Sequence, residues 1–250
     1  MKDKFRDEQK ALAEALIDEL WRHSEPKKLA RLEIMGVPVA HSVGVSKAVL
    51  RKMARSIPKD NLLASALWSS GYHEARLLAV LCAEPESLQQ TVLQNWLDSV
   101  DSWGLCDHIC RDLIRFRSDA SELVFLWASD QRLYFRRAAM ASIANLAVHR
   151  EHLSKELVER FVRCILHISD DGRLHVKKAA SLALRALGKR GFFEHDIAVA
   201  AAVELLERES KPANWIGRNA LKELETLLVV PERKRLLSSK SKMGKQAVVN

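Results

Sequence analysis

Three basic residues in this chain recur at a regular interval, each followed by small residues: Arg137-Ala138-Ala139, Lys178-Ala179-Ala180 and Arg218-Asn219-Ala220. They stand 41 and 40 residues apart. Each triplet is continued by apolar residues four and seven places after its last alanine: Ile143 and Leu146, Leu184 and Leu187, Leu224 and Leu227. Offsets of four and seven keep one face of an α-helix, so each unit is a helix with a buried stripe and a cation near its start. If such helices lie side by side, Arg137, Lys178 and Arg218 form a row, and a row of cations suits a polyanion. The segment 173–190 supports this, because Arg173, Lys177, Lys178, Arg185, Lys189 and Arg190 meet no acidic residue within it. Pairing of the three cations with acids on neighbouring repeats, or snorkelling over a core, is the competing reading.

Other constellations point away from metal and nucleotide chemistry. Cys106-Asp107-His108-Ile109-Cys110 puts two thiols on one helical face, but no second pair stands at a matching spacing, so buried packing is expected and no metal. His73-Glu74 lacks the second histidine of a zincin, since Leu77 occupies that place. No Walker loop, dinucleotide glycine pattern or nucleophile elbow is present, and no cofactor is expected. Trp68, Trp127 and Trp215 are expected in the core or between repeats.

The elements that position these residues are helices. The chain has 250 residues, 48% hydrophobic, with few glycines and prolines and no convincing alternating run of β-branched residues. A two-helix unit recurring at forty-odd residues is the signature of HEAT or armadillo stacking, so an all-α, curved HEAT-like solenoid of about six antiparallel helix pairs is expected. Glu25-Pro26 ends a first helix over 5–23, and a Gly/Pro-bearing loop, 35–44, precedes a helix capped by Ser46. Further helices are expected over 59–70, 72–83, 86–98, 101–116, 119–128, 131–148, 152–168, 173–190, 194–208 and 212–228. One domain over 1–230 is expected, with a basic tail, 231–250, lacking structure: Arg233, Lys234, Arg235, Lys240, Lys242 and Lys245 face only Glu232. The net charge of +8 invites nucleic acid as a partner. The N-terminus lacks an apolar signal core, no window suits a membrane span, and four cysteines without framework spacing fit a reducing cytosol.

Several further segments stand in a fixed order along the chain. They are Met35-Gly36-Val37-Pro38 with Gly44-Val45-Ser46 and Leu50-Arg51-Lys52, then Ala66-Leu67-Trp68 with Gly71 and His73-Glu74-Ala75-Arg76-Leu77-Leu78. The centre is Trp96-Leu97-Asp98-Ser99-Val100-Asp101-Ser102-Trp103 with Leu105-Cys106-Asp107. Arg136-Arg137-Ala138-Ala139, Val176-Lys177-Lys178-Ala179 with Ala183-Leu184-Arg185, and Trp215-Ile216-Gly217-Arg218 complete the series, from about residue 33 to 226. In this order the segments resemble the AlkD-type DNA alkylation repair family of HEAT-repeat DNA glycosylases.

The resemblance implies hydrolysis of the N-glycosidic bond of cationic, N3- or N7-alkylated purines in duplex DNA, without a deep base pocket. Such a base already leaves readily, so the remaining task is to stabilise charge on the sugar and orient water, which a carboxylate can do. Asp101 matches the family's catalytic aspartate, and Arg137 the arginine placed near the lesion-bearing backbone. Arg136, Lys177, Lys178, Arg185 and Arg218 are the other DNA-binding candidates. Family tryptophans are replaced by Leu97 and Leu182, and Trp96 and Trp103 are the candidate substitutes for lesion contact. Read from its own neighbours alone, Asp101 is a cap for the helix that follows, and only the resemblance raises catalysis beside it. The implied protein is a monomeric, cytoplasmic binder of alkylated duplex DNA, with no membrane partner. A catalytically silent binder of damaged or branched DNA and a protein-binding HEAT scaffold are the alternatives.

Overall fold

The structure is a computed structural model that describes residues 2–34, 36–230 and 233–249. Met35 of the N-terminal signature, and Pro231 and Glu232 of the tail, lie outside the described residues. The chain divides into two compact units, residues 1–118 and 119–250.

The first unit contains α1 (Lys2–Arg22), α2 (Pro26–Ile34), α3 (Lys47–Ser56), α4 (Asn61–Ser69), α5 (His73–Cys82), α6 (Gln90–Asp98) and α7 (Trp103–Asp112). Pro26 ends the first expected helix but opens α2, over a stretch to which the sequence reading assigned no element. Proline is tolerated in a first turn because its missing N–H has no helical partner there. Hydroxyl and carboxylate caps set the later starts: Ser46 accepts from Val49 N, and Asp60 from Leu62 N and Leu63 N at 2.7 and 2.8 Å. Helix α4 packs on α1 and α5, and α5 in turn on α3 and α7.

A buried carboxylate holds the loop before α3. Glu74 is 1% exposed and accepts three backbone N–H groups, from Val43 at 2.7 Å, Gly44 at 2.8 Å and Val45 at 3.2 Å. Gly44 has φ of +83°, and a Cβ there would meet Leu29 Cγ at 2.8 Å, so both the turn and the close approach of α2 require glycine. Glu74 of the His73-Glu74 pair, set aside as metal chemistry, is thus a structural clamp on the Val43-Gly44-Val45 segment.

The second unit contains α8 (Ala120–Ala128), α9 (Leu133–His149), α10 (Lys155–His167), α11 (Leu174–Gly188), α12 (Phe192–Glu207) and α13 (Lys211–Leu224). Then follow β1 (Leu227–Leu228), β2 (Leu237–Ser238) and α14 (Lys242–Val249). Helices α8, α10 and α12 form one layer; α9, α11 and α13 form a second, with α11 between its neighbours. The alanines of the repeated cassettes, Ala138, Ala139, Ala179, Ala180 and Ala220, are all buried, as are Ile143, Leu146, Leu184, Leu187 and Leu224. Leu227 departs from the pattern: α13 ends at Leu224, and Leu227 pairs with Ser238 in the β1–β2 ladder. Small residues let the layers approach closely, and a Cβ on Gly217 would lie 2.6 Å from the Ala202 carbonyl oxygen of α12.

Cross-helix bonds fix the direction of the second layer. Arg137, near the start of α9, donates to His175 O near the start of α11, while Arg190, just past α11, donates to Ala147 O and Arg150 O at the end of α9. Ser181 bonds Asn219 and Arg185 bonds Glu223, which sets α13 in the same register. The three helices therefore run parallel, stepped by about forty residues.

Described residues of the basic tail carry β2 and α14. Arg235 donates to Ala147 O at 2.6 Å and Ala186 O at 2.9 Å, and Leu236 N donates to Lys189 O at 2.9 Å. The open carbonyls at the ends of α9 and α11 thus find donors in the segment expected to lack structure, which tethers it. No helix among the described residues is long and apolar enough to cross a membrane.

Glu74→Ala should lower unfolding free energy by about 3 kcal/mol, since three buried N–H groups lose their acceptor. Urea denaturation at neutral pH measures this, and a loss below about 0.5 kcal/mol would contradict the clamp.

Candidate nucleic-acid interface

In the first unit the connection between α6 and α7 presents Asp101. Its side chain is 34% exposed, and Oδ2 lies 3.6 Å from Arg76 Nη1. The helix cap is the adjacent Ser102, whose hydroxyl accepts from Leu105 N, so Asp101 is not the capping group. Arg76 reaches from α5, donates to Ser99 O at 3.2 Å and lies over the Trp68 ring at 5.3 Å. Trp68 stacks on Trp96 with centroids 4.5 Å apart and planes 2° from parallel, and its Nε1 donates to Ser99 Oγ at 3.0 Å. An indole pair and one guanidinium thus fix the segment of chain leading to Asp101.

That arrangement decides which tryptophan can meet a ligand. Trp96 is 4% exposed and committed to Trp68, which removes it as a lesion contact. Trp103, at the start of α7, is half-buried. Leu97 is 1% exposed and belongs to the core, whereas Leu182 on α11 is 47% exposed. His73 is buried nearby; burial pushes its imidazole below the ordinary value, against the opposing fields of Glu74 and Asp101. Cys106 and Cys110 are fully buried, as close packing of small apolar groups requires. Among the described residues no group of three or more His, Cys, Asp or Glu is placed to hold a metal ion.

In the second unit the cations separate into two sets. Arg137 is 7% exposed and donates to His175 O at 2.7 Å. Arg136 donates to Asp130 O, Gln131 Oε1 and Asp171 Oδ2 at 2.6, 2.7 and 3.0 Å. Arg185 pairs with Glu223 at 2.6 Å, and Lys189 pairs with the same carboxylate. These groups tie one repeat to the next; of the row of three only Arg137 is among them, and the acceptor it meets is a backbone carbonyl. Lys178 on α11 and Arg218 on α13 are exposed instead. Between these two sets stands Lys177, half-buried with its ammonium 4.9 Å from the Trp215 ring centroid.

Helix α13 adds two cations that the sequence reading missed. Lys211, Asn214, Trp215, Arg218, Asn219 and Lys222 line a shallow cleft of about 310 Å³. Lys211 and Lys222 lie seven before and four after Arg218, so all three share one helix face, a spacing visible in the sequence. All three are exposed. Guanidinium, ammonium and side-chain amides around an indole offer donors for phosphate oxygens and one partly open aromatic surface.

The profile of the family described as DNA alkylation repair enzyme matches residues 16–224. The chain belongs to this family. Among solved structures it is similar to a protein described as a member of "a new family of proteins related to the HEAT-like repeat DNA glycosylases with affinity for branched DNA structures". That likeness has a TM-score of 0.70 and 15% identity, over 93% of this chain and 92% of the other. At that identity it shows the fold, an all-α HEAT-like repeat. Two designed armadillo repeat proteins, one in complex with the peptide (KR)4, match at TM-scores of 0.32 and 0.33, with 16% and 17% identity over 70% of this chain and 73% of each of theirs. No curated protein matches the sequence.

One acid supports the register that presents Lys178. Asp171 has a side chain 5% exposed and accepts from Arg173 and Arg136 just before α11. Burial pushes its carboxyl up, but the hydrogen bonds from Arg173 and Arg136 outweigh burial and hold it at about 2. A folded value below the ordinary 3.8 means stability that is complete above the unfolded value and lost as pH falls toward 2. That loss should amount to about 1–2 kcal/mol, and Asp171→Asn should flatten it. Urea midpoints at neutral pH and at two points between pH 4 and 2 check the claim; an unchanged acid slope in the variant would contradict it.

Proposed function

We propose that this protein binds duplex DNA through the exposed cations of α11 and α13 and hydrolyses the N-glycosidic bond of cationic N3- or N7-alkylated purines, with Asp101 as the catalytic carboxylate. The family membership supports DNA alkylation repair as the setting. The observation that carries the catalytic part is Asp101 itself: a partly exposed carboxylate, relieved of capping by Ser102 and oriented by Arg76.

The chemistry asks little else of the protein. A cationic purine departs as a neutral base, so no general acid is needed at the leaving group. Positive charge then grows on the sugar, and a carboxylate in contact with it lowers that barrier while aligning a water for attack. The Arg76 partner, 3.6 Å away, restricts the rotamers of that carboxylate. Trp103, two residues on, is the indole nearest in sequence for packing against sugar or base. Lys178, Lys211, Arg218 and Lys222 would supply phosphate contacts, which set register on DNA without reading sequence. The fitting locality is the cytoplasm, and the active form a monomer.

A second reading, binding without hydrolysis, is favoured by specific side chains. Trp96 is buried, Leu97 is core, and Leu182 offers no π-face to a cationic base, a contact worth about 2 kcal/mol when desolvated. The structurally similar protein with affinity for branched DNA suggests the same kind of ligand for this chain.

Two measurements separate these readings. Base release from N3- and N7-methylated duplex should occur with the native protein and fall by about 100-fold or more in Asp101→Asn, with duplex affinity within about twofold. Absence of release by the native protein would leave the binding-only reading standing. In parallel, Lys178→Ala with Arg218→Ala should reduce the slope of log affinity against log salt by about 2, because each lost phosphate contact removes nearly one released counterion. An unaltered slope would remove the α11–α13 face from the account.

A further inference from the structure

The starts of three helices in the first unit lie near one another. Helix α5 packs on both α3 and α7. Its first residue, His73, feels the charge of Lys47, the first residue of α3, and that of Asp101, two places before α7. Lys47, His73 and Asp101 therefore cluster at one end of these helices. The proposed hydrolysis uses Asp101 and leaves Lys47 without a role.

Lys47 is exposed, and its amine makes no hydrogen bond or ion pair among the described residues. Carboxylates nearby are engaged elsewhere: Asp101 with Arg76 at 3.6 Å, Asp112 with Arg111 at 2.6 Å and His108 at 2.8 Å, and Glu74 with three backbone N–H groups. No acid stands in the first turn of α3, where Lys47 meets the positive end of the helix dipole. Desolvation comes first among the influences that lower its amine, then the charges of Arg111 from α7 and Arg51 one turn on, against smaller opposing fields of Asp112 and Asp107. His73 and His108 are buried, and burial holds both rings below the ordinary value, so at neutral pH they add no charge beside it. The balance favours the neutral amine, the form that attacks carbon. A lysine kept for phosphate contact gains from a settled positive charge, which these surroundings oppose.

We propose that Lys47 is the nucleophile of a second activity, an abasic-site lyase, which acts on the aldehyde left in DNA when a base is lost. It extends the proposed function to that reaction's product, and rests on the proposed DNA binding but not on base hydrolysis. The ring-opened deoxyribose carries an aldehyde at C1′. The Lys47 nitrogen adds to that carbon and water leaves, which gives a protonated imine. Asp101 takes a C2′ proton, and the C3′–O bond breaks with its electron pair departing on the 3′ phosphate. Water then hydrolyses the imine, returning the amine and leaving an unsaturated aldehyde on one DNA end and a phosphate on the other. The sequence of steps needs no oxidant or reductant.

The test uses the full chain and a duplex with one preformed abasic deoxyribose, made by removing uracil with a separate enzyme. Sodium borohydride reduces an imine to a stable amine, so the native protein should become attached to the DNA, with the adduct mapping to Lys47. Without borohydride it should nick the strand at the abasic site. Lys47→Arg keeps the charge and should lose both adduct and nick, with affinity for that duplex within about twofold. Lys52→Arg, also exposed on α3, should keep both. A tetrahydrofuran analogue, which has no aldehyde, should give no adduct. An undiminished adduct in Lys47→Arg overturns the proposal, and so does native protein that binds the abasic duplex but forms no adduct. An adduct without release of methylated bases ends the proposed hydrolysis and keeps the lyase; release without an adduct does the reverse. Failure of the native protein to bind DNA overturns both.

Discussion

Buried arginines cannot be left without acceptors, and that constraint organises the second unit. A guanidinium taken from water costs several kcal/mol unless its N–H groups are met. Arg137 meets the His175 carbonyl, Arg190 the last carbonyls of α9, and Arg185 the Glu223 carboxylate. Each bond spans one repeat, so satisfying the arginines fixes α9, α11 and α13 parallel and in step. Alanine at the cassette positions lets the backbones come close enough for those bonds to form. That register also sets the exposed Lys178 on α11 and Arg218 on α13 on neighbouring parallel helices.

The same charge therefore does two jobs, and burial separates them. Cations next to a neighbouring repeat's carbonyl or acid are used up in stacking; those one helical turn away toward solvent are left for a ligand. This chain thus draws both its solenoid ties and its proposed DNA contacts from one basic composition. The first unit follows a parallel logic with a carboxylate. Glu74 gathers three N–H groups around Gly44, while Asp101, relieved by Ser102 of the helix cap, stays partly open beside Arg76.

Much of this was legible in the sequence because helical spacing alone determines it. The alanine and leucine positions of the cassettes are buried as the offsets of four and seven require, down to Leu224. What the spacing could not give was the partner of each polar group. Nothing local distinguishes Arg137, which meets a carbonyl 38 residues away, from the exposed Lys178 one repeat on. Trp96 likewise looked available until Trp68, from another helix, was found stacked upon it. The basic C-terminal segment read as solvated because its acceptors, the carbonyls at the ends of α9 and α11, are invisible in composition. Lys211 and Lys222 stand at helical spacing from Arg218 but outside the repeated triplets, so the repeat alone does not point to them.

The central claim is that the exposed lysines of α11 and α13 meet DNA. Acetylation footprinting of the full chain, with and without saturating duplex, tests it directly. Lys178, Lys211 and Lys222 should lose reactivity severalfold on DNA addition, while Lys155 on the opposite layer keeps its own. Undiminished reactivity at all three, with DNA demonstrably bound, would contradict the account.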